Sequence, residues 1–591
     1  MIYLWAARMR TQWQISEPTA ALRDSLEILD QIEDLRRRQP HATDRALLMS
    51  VWGEPYRRLA GYLLGSGQTP RALLEAAFEA QERMRGRSLA EALSFVSLDS
   101  IPEEAREIQQ QLSAVNSDKA RIQRQLRNPE TPNRPELLVQ LEDLESELER
   151  LKRQLSQWDP LRTPPPVSLR DVEANLAPNE ALLAFQVASD FDVYGDPAGG
   201  SWLLVSTRQG TAAYRLEIAE RADFDASVER LSSLLAESKS GDGAQTSLES
   251  FADKLLQDHL AGLPADVDHL IVVPDAGLHK LPFGALRPGP ERAPLASRYG
   301  LSVVPSAALW LHWKGLAPPP ADRKPALILA DPPVAGSNRP GGRSDPSDRP
   351  LQEGVSLPPL PFARQEGEMI RQRLRAGSQL WLGEQAAEHR LKQTRLDDYT
   401  VLHFATHAIL DDLRPMRSMI WLAPGADNED GWLQPFDIAS LELGGQVVVL
   451  SACKTATGQI LPNEGAMSLA RPFFEARARV VVGSLWNLPD QTTSELFQSF
   501  YDHLVQGASV AQALAAAQRD QIRRGYSPRT WAGVAVLGDG AFIPFPGGLE
   551  NGWWTRAPYR SALWILLAAA LVYGVVKGRR HFAGRRGGDL P

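Results

Sequence analysis

The chain has 591 residues, of which 43% are hydrophobic and 23% are charged, and its formal net charge is −8. A single hydrophobic core rarely grows beyond about 250–300 residues, so this length predicts roughly two to four domains. The small negative charge gives no indication of a nucleic-acid partner. The single cysteine, Cys453, excludes an intramolecular disulfide, so the fold depends on packing alone.

Residues 1–98 are predicted to be helical. Between Leu22 and Ile32 the apolar residues recur at the spacing of an amphipathic helix, and a second helical stretch follows a break at 65–70. Paired helices of this kind resemble tetratricopeptide-type repeats, although the pattern of about 34 residues is not repeated cleanly. We expect this region to bind a regulatory protein partner.

Residues 101–158 show a heptad pattern. Six leucines step by four and three residues with charged residues between them: Leu137, Leu141, Leu144, Leu148, Leu151 and Leu155. This spacing is typical of a coiled-coil seam. Prolines in the stretch 128–135 prevent one continuous helix, so we predict an antiparallel helical hairpin with a structural role.

Beyond a proline-rich linker that ends near residue 167, short apolar stretches alternate with helical ones. Examples are ALLAFQV, HLIVVP, PALILA, TVLHFATHA, QVVVLSAC and RVVVGSLW. Apolar stretches of this length predict strands that are covered on both faces, hence an α/β sheet. A loop rich in Pro, Gly and Ser at 331–361 is predicted to divide this region into halves at 168–330 and 362–542.

The last predicted element is a transmembrane helix at 559–578. It contains sixteen uncharged residues, 561–576, with aromatic residues before them and a basic tail after them. A buried C-terminal helix is the alternative. The basic tail would face the cytoplasm by the positive-inside rule, with the rest of the protein outside. Because the first residues are not typical of a signal peptide, the side on which the body lies stays open.

Two of the predicted buried strands end next to chemically reactive side chains. His407 follows the strand at 401–405, and Cys453 follows the strand at 447–451. Active sites of parallel sheets lie beyond the carboxyl ends of the strands, so adjacent parallel strands would bring imidazole and thiol together. The imidazole can then accept the thiol proton and leave a nucleophilic thiolate. The backbone N–H groups of Cys453 and Ala408 are candidates for binding an oxyanion.

Seven stretches, in this order, resemble the CHAT domain, a peptidase module related to caspases and separases and often found after helical repeats. They are VPDAGLHKLPFGAL (273–286), LPFARQEGEMI (360–370), VLHFATHA (401–408), VVVLSACKTATG (447–458), the stretch 463–493, FYDHLVQG (500–507) and WAGVAVLGD (531–539). The resemblance extends over about 170–541. It implies a caspase-like α/β fold with a non-catalytic half followed by a catalytic half. It also implies His407 as base and Cys453 as nucleophile.

Several nearby residues have two interpretations. Asp490 resembles in position an acidic residue that lines the specificity pocket of separase-like relatives and would favour a basic P1 side chain, or it caps a helix. Trp486 is a pocket wall or a core residue, and Glu464 is a cap and turn or a contact beside the active site. His403 is interpreted as a structural or supporting histidine.

The sequence departs at two places from the motifs of the CHAT family and of caspases. The family usually has glycine where this chain has Ala408. Lys454 and Thr455 follow the cysteine where caspases have a glycine, so an aspartate preference is not expected. Phe404 stands where a zinc peptidase HExxH motif needs glutamate, which argues against a metal site.

Together these observations predict a membrane-anchored cysteine endopeptidase that acts on a protein or peptide substrate and is regulated through its N-terminal helices. The alternative is a catalytically inactive scaffold for protein–protein interaction. No cofactor is implied, because neither a phosphate loop nor a metal-ligand cluster occurs in the sequence.

Overall fold

A computed structural model describes most of the chain between residues 18 and 549. The described ranges are 18–39, 51–94, 133–156, 167–333 and 360–549, with single positions between 40 and 132, and with gaps inside these ranges at 66–68, 193–194, 196–197, 238–241, 375–376, 412–414, 416–417, 425–430, 453–454 and 462–463.

The N-terminal region is helical, as predicted. Its helices are α1 (Pro18–Arg37), α2 (Glu54–Leu64), α3 (Arg71–Glu82) and α4 (Arg87–Ser94). Apolar residues of all four helices lie in one buried cluster, which continues into the sheet region through Leu182 and Trp310. The helical region and the sheet region therefore share a hydrophobic core, which fixes the position of one against the other.

A longer helix, α5 (Arg134–Ser156), carries most of the predicted leucine seam. Leu148 and Leu151 on this helix are buried. Lys119, from the first half of the predicted hairpin, forms an ion pair with Glu145 of α5 with Nζ and Oε1 2.9 Å apart. This contact joins residues from the two halves of the seam, and the antiparallel hairpin stays a prediction.

The α/β region begins with one small helix and alternates strands with helices. Its first part contains α6 (Leu169–Asn175), β1 (Glu180–Gln186), β2 (Ser201–Thr207), β3 (Gly210–Leu216), α7 (Arg221–Ala236), α8 (Asp242–Leu260), β4 (His269–Val273), α9 (Leu295–Arg298), β5 (Gly300–Val303) and α10 (Ala307–Lys314).

The second part continues the same alternation and adds short strands beside the site. It contains β6 (Lys324–Ala330), α11 (Pro361–Leu374), β7 (Gln379–Leu382), α12 (Glu388–Lys392), β8 (Tyr399–Ala405), β9 (Ala408–Ile409), β10 (Met419–Trp421), β11 (Trp432–Leu433), α13 (Pro435–Ala439), β12 (Val447–Ser451), β13 (Gln459–Leu461), β14 (Gly465–Met467), α14 (Ala470–Glu475), β15 (Val480–Ser484), α15 (Asp490–Val505), α16 (Val510–Arg523), α17 (Pro528–Trp531) and β16 (Val534–Gly538).

Eleven of the described strands form one sheet in the order β3-β2-β1-β4-β5-β16-β15-β12-β8-β6-β7. The last strand, β16, joins the two parts, because it pairs with β5 in parallel and with β15 in antiparallel orientation. Strand β6 precedes the predicted dividing loop yet lies between β8 and β7 in the second part. The predicted loop therefore does not separate the two groups of strands, although the other domain bounds stay predictions.

The central strands are covered on both faces, which explains their continuous apolar sequence. In β12, Val448 belongs to the cluster that packs towards the N-terminal helices, and its neighbour Val449 belongs to the cluster on the opposite face. That second cluster is formed with apolar residues of α15 and α16, such as Phe497 and Leu514. Both faces of the sheet are thus hydrophobic, and its reactive side chains lie at strand ends.

The predicted transmembrane helix requires a correction. No helix in the described part of the chain combines the length and the apolar character needed to cross a membrane. The segment 559–578 lies outside the described residues, and its uncharged run of sixteen residues is shorter than the roughly 20 that span a bilayer core. The transmembrane helix in the predicted fold class, the single-pass membrane location and the membrane partner are therefore withdrawn.

Candidate active site

His407 and the segment that carries Cys453 lie at the same edge of the sheet. Strands β8 and β12 are adjacent and parallel, which is the condition for the predicted meeting of the two side chains, and Ser451 pairs with Ala405 at their carboxyl ends. His407 follows β8 and is buried, with 8% of its surface exposed. Cys453 and Lys454 lie outside the described residues, but Ala452 before them and Thr455 after them are described.

A cleft of about 520 Å³, counted to its open mouth, lies at this edge. Its walls include Ala452, directly before the cysteine, and apolar residues such as Ala363 of α11 and Phe497 of α15. Its polar lining residues are Glu366, Thr406, His407, Ser451, Ser484, Asp490 and Thr493. The cleft thus combines an imidazole, carboxylates and hydroxyl groups with apolar walls, which is a common composition of binding sites.

The residues near Cys453 form hydrogen bonds with Ser484, the last residue of β15. The Ser484 hydroxyl donates to the carbonyl oxygen of Ala452 over 2.7 Å. The Ser484 N–H donates to the Thr455 hydroxyl over 3.1 Å, and the Ala456 N–H donates to the Ser484 carbonyl over 2.8 Å. These hydrogen bonds hold the chain before and after Cys453 against Ser484. No role was assigned to Ser484 in the sequence analysis.

Ala408 lies in the short strand β9, which pairs with β10. Ala408 is opposite Ile420, and the Trp421 N–H donates to the His407 carbonyl over 2.9 Å. Because hydrogen-bonded and non-hydrogen-bonded pairs alternate in an antiparallel ladder, the Ala408 N–H is directed away from β10. Its extended backbone does not need glycine's freedom, so alanine is compatible with the predicted oxyanion role.

Asp490 is the first residue of α15, and its carboxylate lines the cleft with His407. It accepts the N–H of Phe362 over 3.2 Å, and the N-cap position of the helix is taken by Pro489. Burial and then the charge of Glu366 raise the pKa of Asp490 above its ordinary value, while the Phe362 N–H and His407 act in the opposite direction. This carboxylate is therefore less stabilised in its charged form than it would be in water.

Beneath the cleft, His403 belongs to a buried network. Its Nε2 is 2.8 Å from Glu366 Oε1, and its Nδ1 is 3.0 Å from the Tyr501 hydroxyl. Burial, followed by the charge of Glu366, raises the pKa of Tyr501 well above its ordinary value. Both ring nitrogens of His403 thus bind protein groups, in agreement with a supporting role. Sequence reasoning missed Glu366, although it lies inside one of the quoted stretches.

The other two predicted substrate contacts lie elsewhere. Trp486 belongs to the core, packs against Gly533 and donates its Nε1–H to the Arg529 carbonyl over 3.0 Å. Glu464 is 3% exposed and accepts hydrogen bonds from both the N–H and the hydroxyl of Ser88 of α4. The structure brings His407, Ala408 and Asp490 together with the cysteine segment, but it does not bring Trp486 or Glu464 to the cleft.

A histidine and a cysteine segment at the carboxyl ends of adjacent parallel strands, within a sheet built in two parts, define a caspase-like α/β protein. Residues 245–539 match the sequence model of the CHAT domain, and the chain belongs to this family. The match confirms the resemblance seen in the seven stretches, and it begins later than the predicted start near residue 170.

Two mammalian proteins are similar in sequence. Tetratricopeptide repeat protein 28 of Homo sapiens is 25% identical over 332 residues, which is 49% of this chain and 13% of that protein. The mouse protein of the same name is 24% identical over 330 residues, with the same shares covered. The chain therefore spans only a small part of the length of these relatives.

Two solved structures also align with this chain, at low sequence identity and with TM-scores below 0.5. The Saccharomyces cerevisiae separase–securin complex aligns with a TM-score of 0.44 and 10% identity, over 91% of this chain and 40% of that chain. The complex of RgpB pro- and mature domains from Porphyromonas gingivalis aligns with a TM-score of 0.34 and 8% identity, over 55% of this chain and 77% of that one.

Proposed function

We propose that this protein is a cysteine endopeptidase in which His407 is the general base and Cys453 is the nucleophile. The observation that carries the proposal is the shared cleft of His407 and Ala452, at the carboxyl ends of two parallel strands. The caspase-like fold of the family supports the same assignment.

The reaction would proceed through an acyl-enzyme. The His407 imidazole accepts the thiol proton, and the thiolate attacks the peptide carbonyl to form a tetrahedral oxyanion. The N–H groups of Cys453 and Ala408 donate to that oxygen. The imidazolium then protonates the departing amine, and a water molecule, deprotonated by His407, hydrolyses the thioester.

Thiol labelling tests the proposed pair against the alternative of an inactive scaffold. Because Cys453 is the only cysteine in the sequence, any labelled thiol is this residue. We expect stoichiometric labelling by iodoacetamide at pH 6 and much slower labelling in the His407→Ala variant, because an adjacent imidazolium lowers a thiol pKa. Labelling no faster than that of free cysteine would contradict the peptidase and favour the scaffold.

We infer further that the substrate carries a basic residue at P1, bound by Asp490. The carboxylate shares the cleft with His407, and burial raises its pKa, so its charged form would be stabilised by a cationic partner. A guanidinium or ammonium group on the substrate would supply a positive charge that pairs with the Asp490 carboxylate. The other predicted contacts, Trp486 and Glu464, have no part in this proposal because they lie outside the cleft.

The Asp490→Asn variant tests the basic preference. We expect kcat/KM for peptides with P1 arginine to fall roughly 10- to 100-fold, because a hydrogen bond between charged groups is replaced by a neutral one. Peptides with P1 glutamine should be affected less than twofold. In the wild type the arginine preference should weaken as the pH falls towards the raised pKa of Asp490, since the carboxylate is then protonated.

The neighbouring variant Asp502→Asn serves as a control, because this carboxylate lies on the same helix and pairs with Arg373. It should leave the arginine preference unchanged. Equal losses for arginine and glutamine peptides in Asp490→Asn would contradict a specificity role.

We also propose that the N-terminal helices regulate the peptidase through the segment that follows Cys453. Ser88, at the start of α4, donates its N–H to both oxygens of Glu464 at 3.2 and 3.1 Å and its hydroxyl to Oε2 at 2.5 Å. Arg471 donates to the Ser88 hydroxyl over 2.5 Å. Glu464 begins the turn into β14, so a movement of α4 would pull on the hairpin that leads back towards the cysteine.

Because the helices are proposed to restrain the peptidase until a partner binds, Ser88→Ala should raise the basal rate of peptide cleavage several-fold. Ser168→Ala is the matched control, since the Ser168 hydroxyl caps only its own helix α6. An unchanged or lower basal rate in Ser88→Ala would contradict the restraining role.

A further inference from the structure

The cleft contains a second carboxylate beside that of Asp490. Glu366 of α11 is 2% exposed and lines the cleft together with Asp490 of α15. The two helices pack against each other, and Asp490 accepts the N–H of Phe362 in the first turn of α11. Glu366 follows Phe362 by four residues, so it lies on the same face of the helix. The two carboxylates therefore meet at the junction of α11 and α15.

A chain of hydrogen bonds holds Glu366 from the buried side. The Tyr501 hydroxyl is 3.0 Å from His403 Nδ1, and His403 Nε2 is 2.8 Å from Glu366 Oε1. Burial raises the pKa of Tyr501 well above its ordinary value, so the phenol keeps its proton, and we assign it as the donor to Nδ1. Nε2 then carries the imidazole proton and donates to Oε1. These buried bonds fix the orientation of the carboxylate.

Each of the two carboxylates uses one oxygen on a protein donor. His403 binds Glu366 Oε1, and the Phe362 N–H binds Asp490 Oδ2. In the part of the chain that the structure describes, neither Glu366 Oε2 nor Asp490 Oδ1 has a hydrogen-bond partner. Burial raises the pKa of Asp490, and the charge of Glu366 acts in the same direction. A cation bound between the two carboxylates would relieve both effects.

We propose that Glu366 and Asp490 together form a guanidinium-binding subsite, which makes the cleft selective for arginine over lysine. The inference rests on the proposed peptidase function, in which this arginine is the P1 residue, and deepens it by adding Glu366 as a second specificity-determining residue. Both carboxylates and the residues that hold them lie in the described part of the chain.

The shape of a guanidinium suits two separate acceptors better than that of an ammonium. A guanidinium is planar and presents five N–H donors in a fixed fork, whereas an ammonium is a compact charge with three donors. One side of the fork donates to Asp490 Oδ1 and another to Glu366 Oε2. Leu360, Ala363 and Phe497 line the same cleft and offer apolar contacts to the methylene groups of the arginine.

Hydrolysis of peptides that differ only at P1 tests the subsite in the full chain. Glu366→Gln removes the charge but keeps an oxygen that can accept the His403 Nε2–H. We expect kcat/KM to fall roughly 10-fold or more for P1 arginine and less than about threefold for P1 lysine, because Asp490 alone can pair with the compact ammonium. Glu368→Gln is the matched control, since this exposed carboxylate lies on the same helix, and it should leave the arginine-to-lysine ratio unchanged.

Tyr501→Phe separates the charge of Glu366 from the bonds that support it. This variant removes the far end of the hydrogen-bond chain and leaves the carboxylate in the cleft. The arginine-to-lysine ratio should stay close to that of the wild type, even if both rates fall.

Binding of side-chain analogues measures the subsite without catalysis. Propylguanidine and butylamine correspond to the side chains of arginine and lysine, and saturation-transfer NMR with the full chain compares their affinities. We expect propylguanidine to bind roughly 10-fold more tightly than butylamine, and Glu366→Gln to remove most of this difference.

The outcomes separate this inference from the proposed function. If Cys453→Ala abolishes hydrolysis while Glu366→Gln leaves the arginine-to-lysine ratio unchanged, the peptidase stands and the subsite is overturned. Equal losses for both peptides would overturn it in favour of a structural role, and so would the same change of ratio in Tyr501→Phe. A wild type that hydrolyses no peptide would overturn the peptidase, whereas propylguanidine binding that depends on Glu366 would still support the subsite. Equal binding of the two analogues would overturn the subsite.

Discussion

The His407→Ala variant is expected to hydrolyse its best peptide substrate roughly 10³-fold more slowly than the wild type, since a positioned general base typically contributes 10²–10⁴. Without the imidazole, the thiol keeps its proton at neutral pH, and the departing amine has no acid to protonate it. The loss should appear mainly in kcat, and the acidic limb of the wild-type pH profile should disappear. Steady-state kinetics between pH 5 and 9 measures both effects.

His503→Ala is the control, because this partly exposed histidine lies near the other end of α15 and interacts with Asp520. Its kinetics should match the wild type. A His407→Ala enzyme that retains more than about a tenth of the wild-type kcat would contradict the proposed base, because the loss would fall well below the usual contribution of one.

The Asp275→Asn variant is expected to lower the free energy of unfolding by about 3–5 kcal/mol, the usual cost of removing one partner of a buried ion pair. Asp275 lies 3.5 Å from Arg57 of α2 and accepts the Val187 N–H over 2.9 Å. Arg57 and Asp275 are both buried, so the substitution leaves a cation in the interior without its counter-charge. Urea unfolding of the two proteins side by side measures the difference.

Because of the same Asp275 carboxylate, we expect the free energy of unfolding to decrease in acid. Burial alone would raise the pKa of Asp275, but Arg57 and neighbouring cations lower it from 3.8 to about 2. A depressed pKa contributes stability above pH 3.8, and that contribution is lost as the pH falls through about 2. Asp253→Asn is the surface counterpart, since Asp253 pairs with the half-exposed Arg292 and should cost less than about 1 kcal/mol. Equal losses of unfolding free energy in Asp275→Asn and Asp253→Asn would contradict the claim that the buried ion pair contributes more than the surface pair.

The strands that carry the site were predictable because their sequences combine two physical signals. Strands β8 and β12 are mostly apolar, which favours cover on both faces, and a reactive side chain lies two residues beyond the end of each of them. Their parallel pairing places those side chains at one edge. Local pattern and sheet geometry were therefore enough to bring His407 and the cysteine segment together.

Other features depend on contacts that no local pattern encodes. Strand β3 is an edge strand with many partly exposed residues, so it lacks the apolar signal of its neighbours. Ser88 and Glu464 meet across 376 residues of sequence. The hydrogen bonds of Ser484 to Ala452 and Thr455 depend on the register of β15 beside β12. That register is set by packing of the whole sheet. The transmembrane prediction failed for a different reason: it depended on an uncharged run of sixteen residues, which is shorter than the roughly 20 that span a bilayer core.

Peptide-library profiling of the wild type beside Cys453→Ala tests the central claim most directly. The full chain should be used, so that the helices and the segment after the cysteine keep their contacts. The account predicts cleavage by the wild type, preferentially after basic residues, and none by Cys453→Ala. Cleavage that survives in Cys453→Ala would contradict the assignment of Cys453 as the nucleophile.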